Sequence, residues 1–326
     1  MQLVDKFEEL AKEIREITLA VDSATKQENW DQVTVLKREL YTKKIEQIDE
    51  LESENALAST LTAKQLRGDV EARPHIPRYE TGIGALDEKL KGGIESGTFI
   101  QLAGESFAGK THLTLEILSN ISNANKVLFF NFEMGDTRIS NRLYKLLTTE
   151  KQWNNFLINS KARKINDIIK EIKSRARDGI RFFAIDSKMK IEVPSENDAY
   201  KAINEISKQL SKVAQQEEII IFLINQMNEE DQKNNRLAFK GSGDQMYDTD
   251  IALFYMVKKE KNVNPEQWKR TLVCRKNRQD EILFSVDLHL DHTGKTVGDG
   301  VAYSYENIKQ PEVTEYNQNN ISMSVL

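Results

Sequence analysis

Cysteine, proline and long apolar runs are nearly missing from this chain. A single cysteine, Cys274, among 326 residues excludes an intramolecular disulfide and any cysteine-cluster zinc site. No apolar run approaches the length of a membrane-spanning helix, so no membrane partner is expected. Asp5, Glu8 and Glu9 among the first residues fit neither a signal peptide nor a basic transit peptide, which makes the cytoplasm the expected location. Glycine and proline are absent from residues 1–66, so nothing there punctuates a helix. That segment holds 14 acidic and 9 basic side chains, the whole of the net charge of −5; the remainder carries 37 of each sign. A neutral remainder can still present a basic stripe, so overall charge does not decide whether nucleic acid is a partner.

What is present divides along the chain. Leu3, Phe7, Leu10, Ile14, Ile17 and Val21 alternate spacings of four and three, the seam of a coiled coil or helical bundle. Polar residues 22–29 interrupt it, and Val33, Leu36, Leu40, Ile45, Ile48 and Leu51 form a second series. Residues 1–66 therefore predict an α-helical hairpin, which on so small a core is expected to associate with other copies or dock a partner. Gly68, Pro74 and Pro77 mark residues 67–80 as a linker. From residue 81 to about 308, β-branched and aromatic runs alternate with helical patterns, which predicts an α/β domain with a mainly parallel sheet. Strands are expected at 98–103, 126–132, 181–186, 219–225 and 251–257, with helices at 110–122, 165–177 and 199–216. A hairpin is expected from 269–274 and 281–289. Residues 309–326, rich in Asn, Gln and Ser without periodicity, are expected to be a flexible tail.

The strongest motif is Gly104-Glu105-Ser106-Phe107-Ala108-Gly109-Lys110-Thr111, a G-x-x-x-x-G-K-[ST] loop between an apolar strand and a helix. Such a loop turns successive backbone N–H groups toward a β-phosphate, and the following helix N-terminus adds partial positive charge. Lys110 is expected to reach the β- and γ-phosphates of ATP, and the Thr111 hydroxyl to ligate Mg²⁺. Asp186 ends the apolar run 181–186, where an acid would join Thr111 at the metal. Glu133 closes the run 127–133 at the strand end where open parallel sheets bind ligands, and it is the candidate general base. Gln226, after the buried run 219–225, is placed to hydrogen-bond a γ-phosphate.

These elements, in this order, resemble the RecA-type P-loop ATPase domain of DnaB-like replicative helicases. Thr81–Asp87, Gly92-Gly93-Ile94 and Gly97 look like that domain's lead-in; Phe130–Met134 resembles its segment with the catalytic glutamate. Asn225–Asn228 looks like its sensor strand, and Lys240-Gly241-Ser242-Gly243 with Asp248 and Asp250 the stretch after its DNA loop. Lys276-Asn277-Arg278 stands at its Lys-x-Arg position. The resemblance implies a homo-oligomeric ring, expected to be hexameric, in which Lys276 and Arg278 reach ATP held by a neighbouring subunit. It implies single-stranded DNA in a central channel, gripped by Lys233, Arg236 and Lys240, with Lys188 and Lys190 as a second set. A loader or primase would engage the N-terminal hairpin. Glu105 in place of a basic residue, Ser187 in place of an aromatic, and Gln279-Asp280 in place of a Gly-containing turn depart from the family pattern. A RecA/RadA-like recombination or repair ATPase and a KaiC-like partner-regulated ATPase are the alternatives.

Overall fold

The computed structural model describes residues 2–58, 61–72, 76–194, 198–227, 237–240, 245–259, 263–264, 267–291 and 293–304. The chain divides into two compact units, Met1–His75 and Ile76–Leu326.

In the first unit, α1 (Gln2–Lys26) and α2 (Trp30–Ala58) form the expected hairpin. Glu28 turns the chain with φ 54°, and Asn29 caps α2 by accepting the Gln32 N–H at 3.2 Å. Leu10, Val21, Ala24 and Val33 are buried along the seam, while Ile14, Ile17, Leu36 and Leu40 are only half-buried. Lys43 pairs with Glu13 at 3.0 Å across the two helices. A third helix, α3 (Ala63–Ala72), runs through residues 67–72, which composition assigns to a linker. Its cause is a reciprocal cap: Thr62 Oγ1 accepts the Gln65 N–H at 3.2 Å, and Gln65 Oε1 accepts the Thr62 N–H at 2.9 Å. An Arg67–Glu71 pair one turn on supports the helix across Gly68.

The second unit begins with a two-stranded ribbon, β1 (Arg78–Tyr79) against β2 (Ile94–Glu95), enclosing α4 (Gly84–Lys89). The strands that follow are β3 (Phe99–Gly104), β4 (Val127–Asn131), β5 (Phe156–Asn159), β6 (Phe182–Asp186), β7 (Ile220–Ile224) and β8 (Ile251–Lys258). Next come β9 (Lys269–Asn277), β10 (Phe284–Leu290) and β11 (Thr296–Ser304). They form one sheet in the order β11-β10-β9-β8-β3-β7-β6-β4-β5. The six strands from β8 to β5 are parallel, and β9, β10 and β11 add antiparallel to the β8 edge.

Period-2 alternation distributes each strand over two cores. Ile100, Leu102, Phe129, Phe182, Ala184 and Phe222 face α5 (Lys110–Ser122) and α6 (Asp136–Leu146), with α7 (Glu150–Asn155) beside them. Phe99, Leu128, Phe130, Phe183, Ile185 and Ile221 face α8 (Ile165–Arg177) and α9 (Ala199–Gln216). Strands buried on both faces read as continuous apolar runs, which is why five of them stand out in sequence. β5 and β11 do not: β5 is four residues long at the sheet edge, and β11 carries Gly298 and Gly300. Among the described residues no helix is long and apolar enough to cross a membrane.

Candidate functional site

The C-terminal ends of β3, β4, β6 and β7 point the same way, and a cavity of about 500 Å³ opens above them. Gly104 ends β3 pressed against β8: a Cβ there would lie 2.5 Å from Tyr255 O. The loop then rises to Phe107, 99% exposed with φ 64°, and returns through Gly109 at φ 99° into α5. Left-handed backbone at Gly109 is what lets the loop close on the first turn of the helix. Glu105, the acid in an otherwise basic slot, pairs with Lys259 at 3.1 Å.

Inside the cavity, Lys110 Nζ donates to Gly104 O at 2.8 Å and Glu105 O at 2.7 Å. Burial lowers the Lys110 pKa, opposed by the charges of Asp186, Glu133 and Glu105. Thr111 Oγ1 donates to Asp186 Oδ2 at 2.6 Å, linking the loop helix to the end of β6. Asp186 is buried, and its carboxyl is pushed up to about 6, first by desolvation and further by Glu133; the Thr111 hydrogen bond, Lys110 and Arg142 pull the other way. Its second oxygen, Oδ1, is buried and accepts no hydrogen bond. A hydroxyl and a carboxylate side by side, with one carboxylate oxygen unpartnered, are a hard-oxygen donor pair of the kind Mg²⁺ takes. The chemistry of these residues therefore fits the metal.

Glu133 sits on a short turn after β4 that is fastened twice to the end of β6. The Phe132 N–H donates to Asp186 O at 2.7 Å, and Ser187 Oγ donates to Glu133 Oε1 at 2.5 Å. Asn131 brackets the same turn, accepting from Met134 N at 3.2 Å and donating to Met134 O at 2.7 Å. Gln226 and Asn225 form the far wall, and the Gln226 side chain accepts from Lys240 at 3.3 Å. The structure thus gathers Ser106, Phe107, Gly109, Lys110, Thr111, Glu133, Asp186 and Gln226 around one cavity. Arg142, on α6, joins them with no motif to announce it; an arginine on an amphipathic surface helix carries no sequence signal of its own. Ser187 is a second residue that sequence reasoning undervalues.

The basic residues distribute differently. Lys188 does not face solvent as a DNA contact would: it is 1% exposed, and its Nζ donates to Ser207 Oγ at 2.5 Å and Gln245 Oε1 at 2.7 Å. The expectation for Lys188 is therefore corrected. The 3₁₀ turn Lys188–Lys190 directs the first lysine into the domain and leaves Lys190 exposed. Lys240 is exposed beside Gln226, while Lys233 and Arg236 lie outside the described residues. Lys276 and Arg278, at the end of β9, are away from the cavity of their own chain. Lys276 Nζ donates to Met246 O at 2.5 Å and Tyr247 O at 3.1 Å; Arg278 donates to Tyr247 O at 2.8 Å and Asp250 at 3.1 Å. Gln279 and Asp280, in place of a glycine turn, pin this tip to the lead-in ribbon: Gln279 donates to Gly93 O at 2.9 Å and Asp280 pairs with Arg78 at 3.0 Å.

The family model described as "AAA domain" matches residues 75–232. The chain is 38% identical over 78 residues to the DNA repair protein RadA of Aquifex aeolicus (strain VF5), which is 24% of this chain and 17% of that protein. The chain thus spans well under half the length of that curated relative. In three dimensions it is similar to a solved helicase-type ATPase domain, with a TM-score of 0.58 at 20% identity over 75% of this chain and 97% of the other. A DnaB-like replicative helicase, solved in a study of its interactions with primase, also gives 0.58, at 18% identity over 86% and 78%. The fold is that of a RecA-type P-loop domain, and its structural neighbours are ATPase domains of DnaB-like helicases.

Proposed function

We propose that this chain hydrolyses ATP to drive a DnaB-like motor on single-stranded DNA, working as a ring of copies, six being the expected number. One observation carries the reading: Lys110, Thr111, Asp186 and Glu133 converge on a single cavity at the C-terminal edge of the parallel strands. In this scheme the phosphates of ATP take over Lys110 from the carbonyls of Gly104 and Glu105, while the amides of the Gly104–Thr111 loop cradle the β-phosphate. Thr111 and Asp186 would hold Mg²⁺, which supplies charge neutralisation at the phosphates. Glu133, aimed by Ser187, accepts the proton of the attacking water, and Gln226 registers the presence of the γ-phosphate. Lys276 and Arg278 of the adjoining copy would exchange their own-chain carbonyl partners for the γ-phosphate and stabilise its developing charge. Lys190 and Lys240, with Lys233 and Arg236, would track the DNA backbone, and the N-terminal hairpin would assemble copies or dock a loader or primase.

The test is hydrolysis by the full chain with and without single-stranded DNA, paired with unwinding of a forked duplex. DNA-stimulated hydrolysis and unwinding, both lost in Lys110→Ala, are expected. The repair name of the sequence relative favours a second reading, a RadA-like recombination or repair ATPase. Filaments on single strands with joint-molecule formation and no unwinding would select it. Hydrolysis indifferent to DNA would sink both and leave a KaiC-like, partner-regulated ATPase.

A further inference from the structure

Behind the far wall of the cavity lies a buried polar cluster that none of the roles above uses. Its centre is Gln245, fully buried at the start of α10 (Gln245–Asp248). The side-chain oxygen accepts from Lys188 Nζ at 2.7 Å and from Asn225 Nδ2 at 3.0 Å, so both of its lone pairs are engaged. Its amide donates to Lys240 O at 3.2 Å, and its backbone carbonyl accepts from Thr249 Oγ1 at 2.8 Å. On one side this reaches the cavity: Asn225 Oδ1 accepts the Gln226 N–H at 2.8 Å, and the Lys240 side chain donates to Gln226. On the other side, the next two carbonyls, Met246 O and Tyr247 O, are those that hold Lys276 and Arg278. A helix of four residues has no cooperative hydrogen-bond ladder to keep it in place. α10 therefore depends on what Gln245 is tied to.

We infer that Gln245 is a positioning residue for hydrolysis, anchoring the cavity-lining Gln226 and the surface cations Lys276 and Arg278 to the same buried lysine, Lys188. The inference deepens the ATPase reading and rests on it. Loss of the γ-phosphate at Gln226 and the pose of the cations would then be two ends of one rigid connection, less than a domain's width apart.

Full-length Gln245→Met keeps the volume and removes the hydrogen bonds. We expect its kcat to fall about tenfold, the loss of one well-made buried hydrogen bond, with KM within about twofold. Hydrogen exchange should speed up at 246–250 and 276–279 and stay unchanged in α5. Gln245→Glu retains both acceptor contacts and should recover most of the lost kcat. Wild-type kcat in Gln245→Met, a change in KM alone, or unchanged exchange at both segments would each overturn the inference. If Gln245→Met loses protection throughout, Asn225→Ala decides instead: it cuts only the cavity branch, so kcat must fall while 276–279 stay protected, and an unchanged kcat overturns the proposal. Should wild-type protein hydrolyse no ATP, the ATPase reading fails, yet exchange still separates the two. Loosening at both segments in Gln245→Met supports the anchor, and retained protection at both refutes it.

Discussion

The cavity and the cluster behind it are built from the same kinds of side chain, a few ångströms apart, and they differ in what those side chains have left to offer. In the cavity, Asp186 Oδ1 is buried without a partner, Glu133 is exposed with a single anchoring hydroxyl, and Lys110 is held only by loop carbonyls. In the cluster, Lys188, Asn225, Gln101, Ser207, Thr249 and Gln245 answer one another. Both regions desolvate a lysine, but only the cavity leaves hydrogen-bonding capacity facing outward. A buried polar group without a partner is unfavourable unless a ligand arrives. The comparison teaches where to look for chemistry: at incomplete satisfaction, not at polarity as such.

The contrast predicts different failures for the two lysines. Lys110→Ala should lower kcat/KM for ATP by about 10³-fold or more, since it removes a cation aimed at the reacting phosphates, while the unfolding midpoint in urea barely moves. A chain that kept a tenth of its hydrolysis would break the comparison at its strongest point. Next in size, equal mixtures of inactive Arg278→Ala and Glu133→Gln chains should regain some activity, because mixed interfaces rebuild a share of intact composite sites. No recovery at any ratio would confine hydrolysis to one chain.

Ser187→Ala should reduce kcat about tenfold and leave nucleotide affinity unchanged, because it frees Glu133 to wander without touching the phosphates. Lys188→Met should behave in the opposite manner: about 2 kcal/mol lower stability from Ser207 and Gln245 left without their donor, measured by urea unfolding. The smallest effect is in pH. Burial pushes the Lys188 ammonium down to about 7, below its unfolded value near 10.5. Between these pH values the unfolded chain binds more protons, so stability contributed at this site rises with pH and is least below 7. A neutral amine still has N–H groups for both Ser207 and Gln245. In nucleotide- and metal-free protein, the stability gap between wild type and Lys188→Met should therefore widen from pH 7 to pH 10; a flat gap would mean the ammonium stays charged.

Much of the domain is legible because parallel strands buried on both faces leave unbroken apolar runs, and because Gly104–Thr111 carries its mechanism in its spacing. Asp186 and Glu133 are legible for the same reason: each is the first acid after such a run. Lys188 misleads because Lys-Met-Lys after a strand looks like a solvated turn, and only the short 3₁₀ turn sends its first residue inward. Residues 67–72 mislead when Gly68 is weighed without Thr62 and Gln65, a capping pair visible in the sequence. Arg142, Ser187 and Gln245 depend on tertiary proximity across elements far apart in the chain, and no local pattern encodes that.

The close approach of Gly104 to Tyr255 O has a consequence for genetics. The first glycine of the loop is required by the seam between β3 and β8, so a Gly104→Ala allele removes the protein by disturbing the sheet. A Lys110→Ala allele leaves a folded, inert one. The first should be recessive and show a reduced protein level, whereas the second retains every surface through which the chain meets its partners.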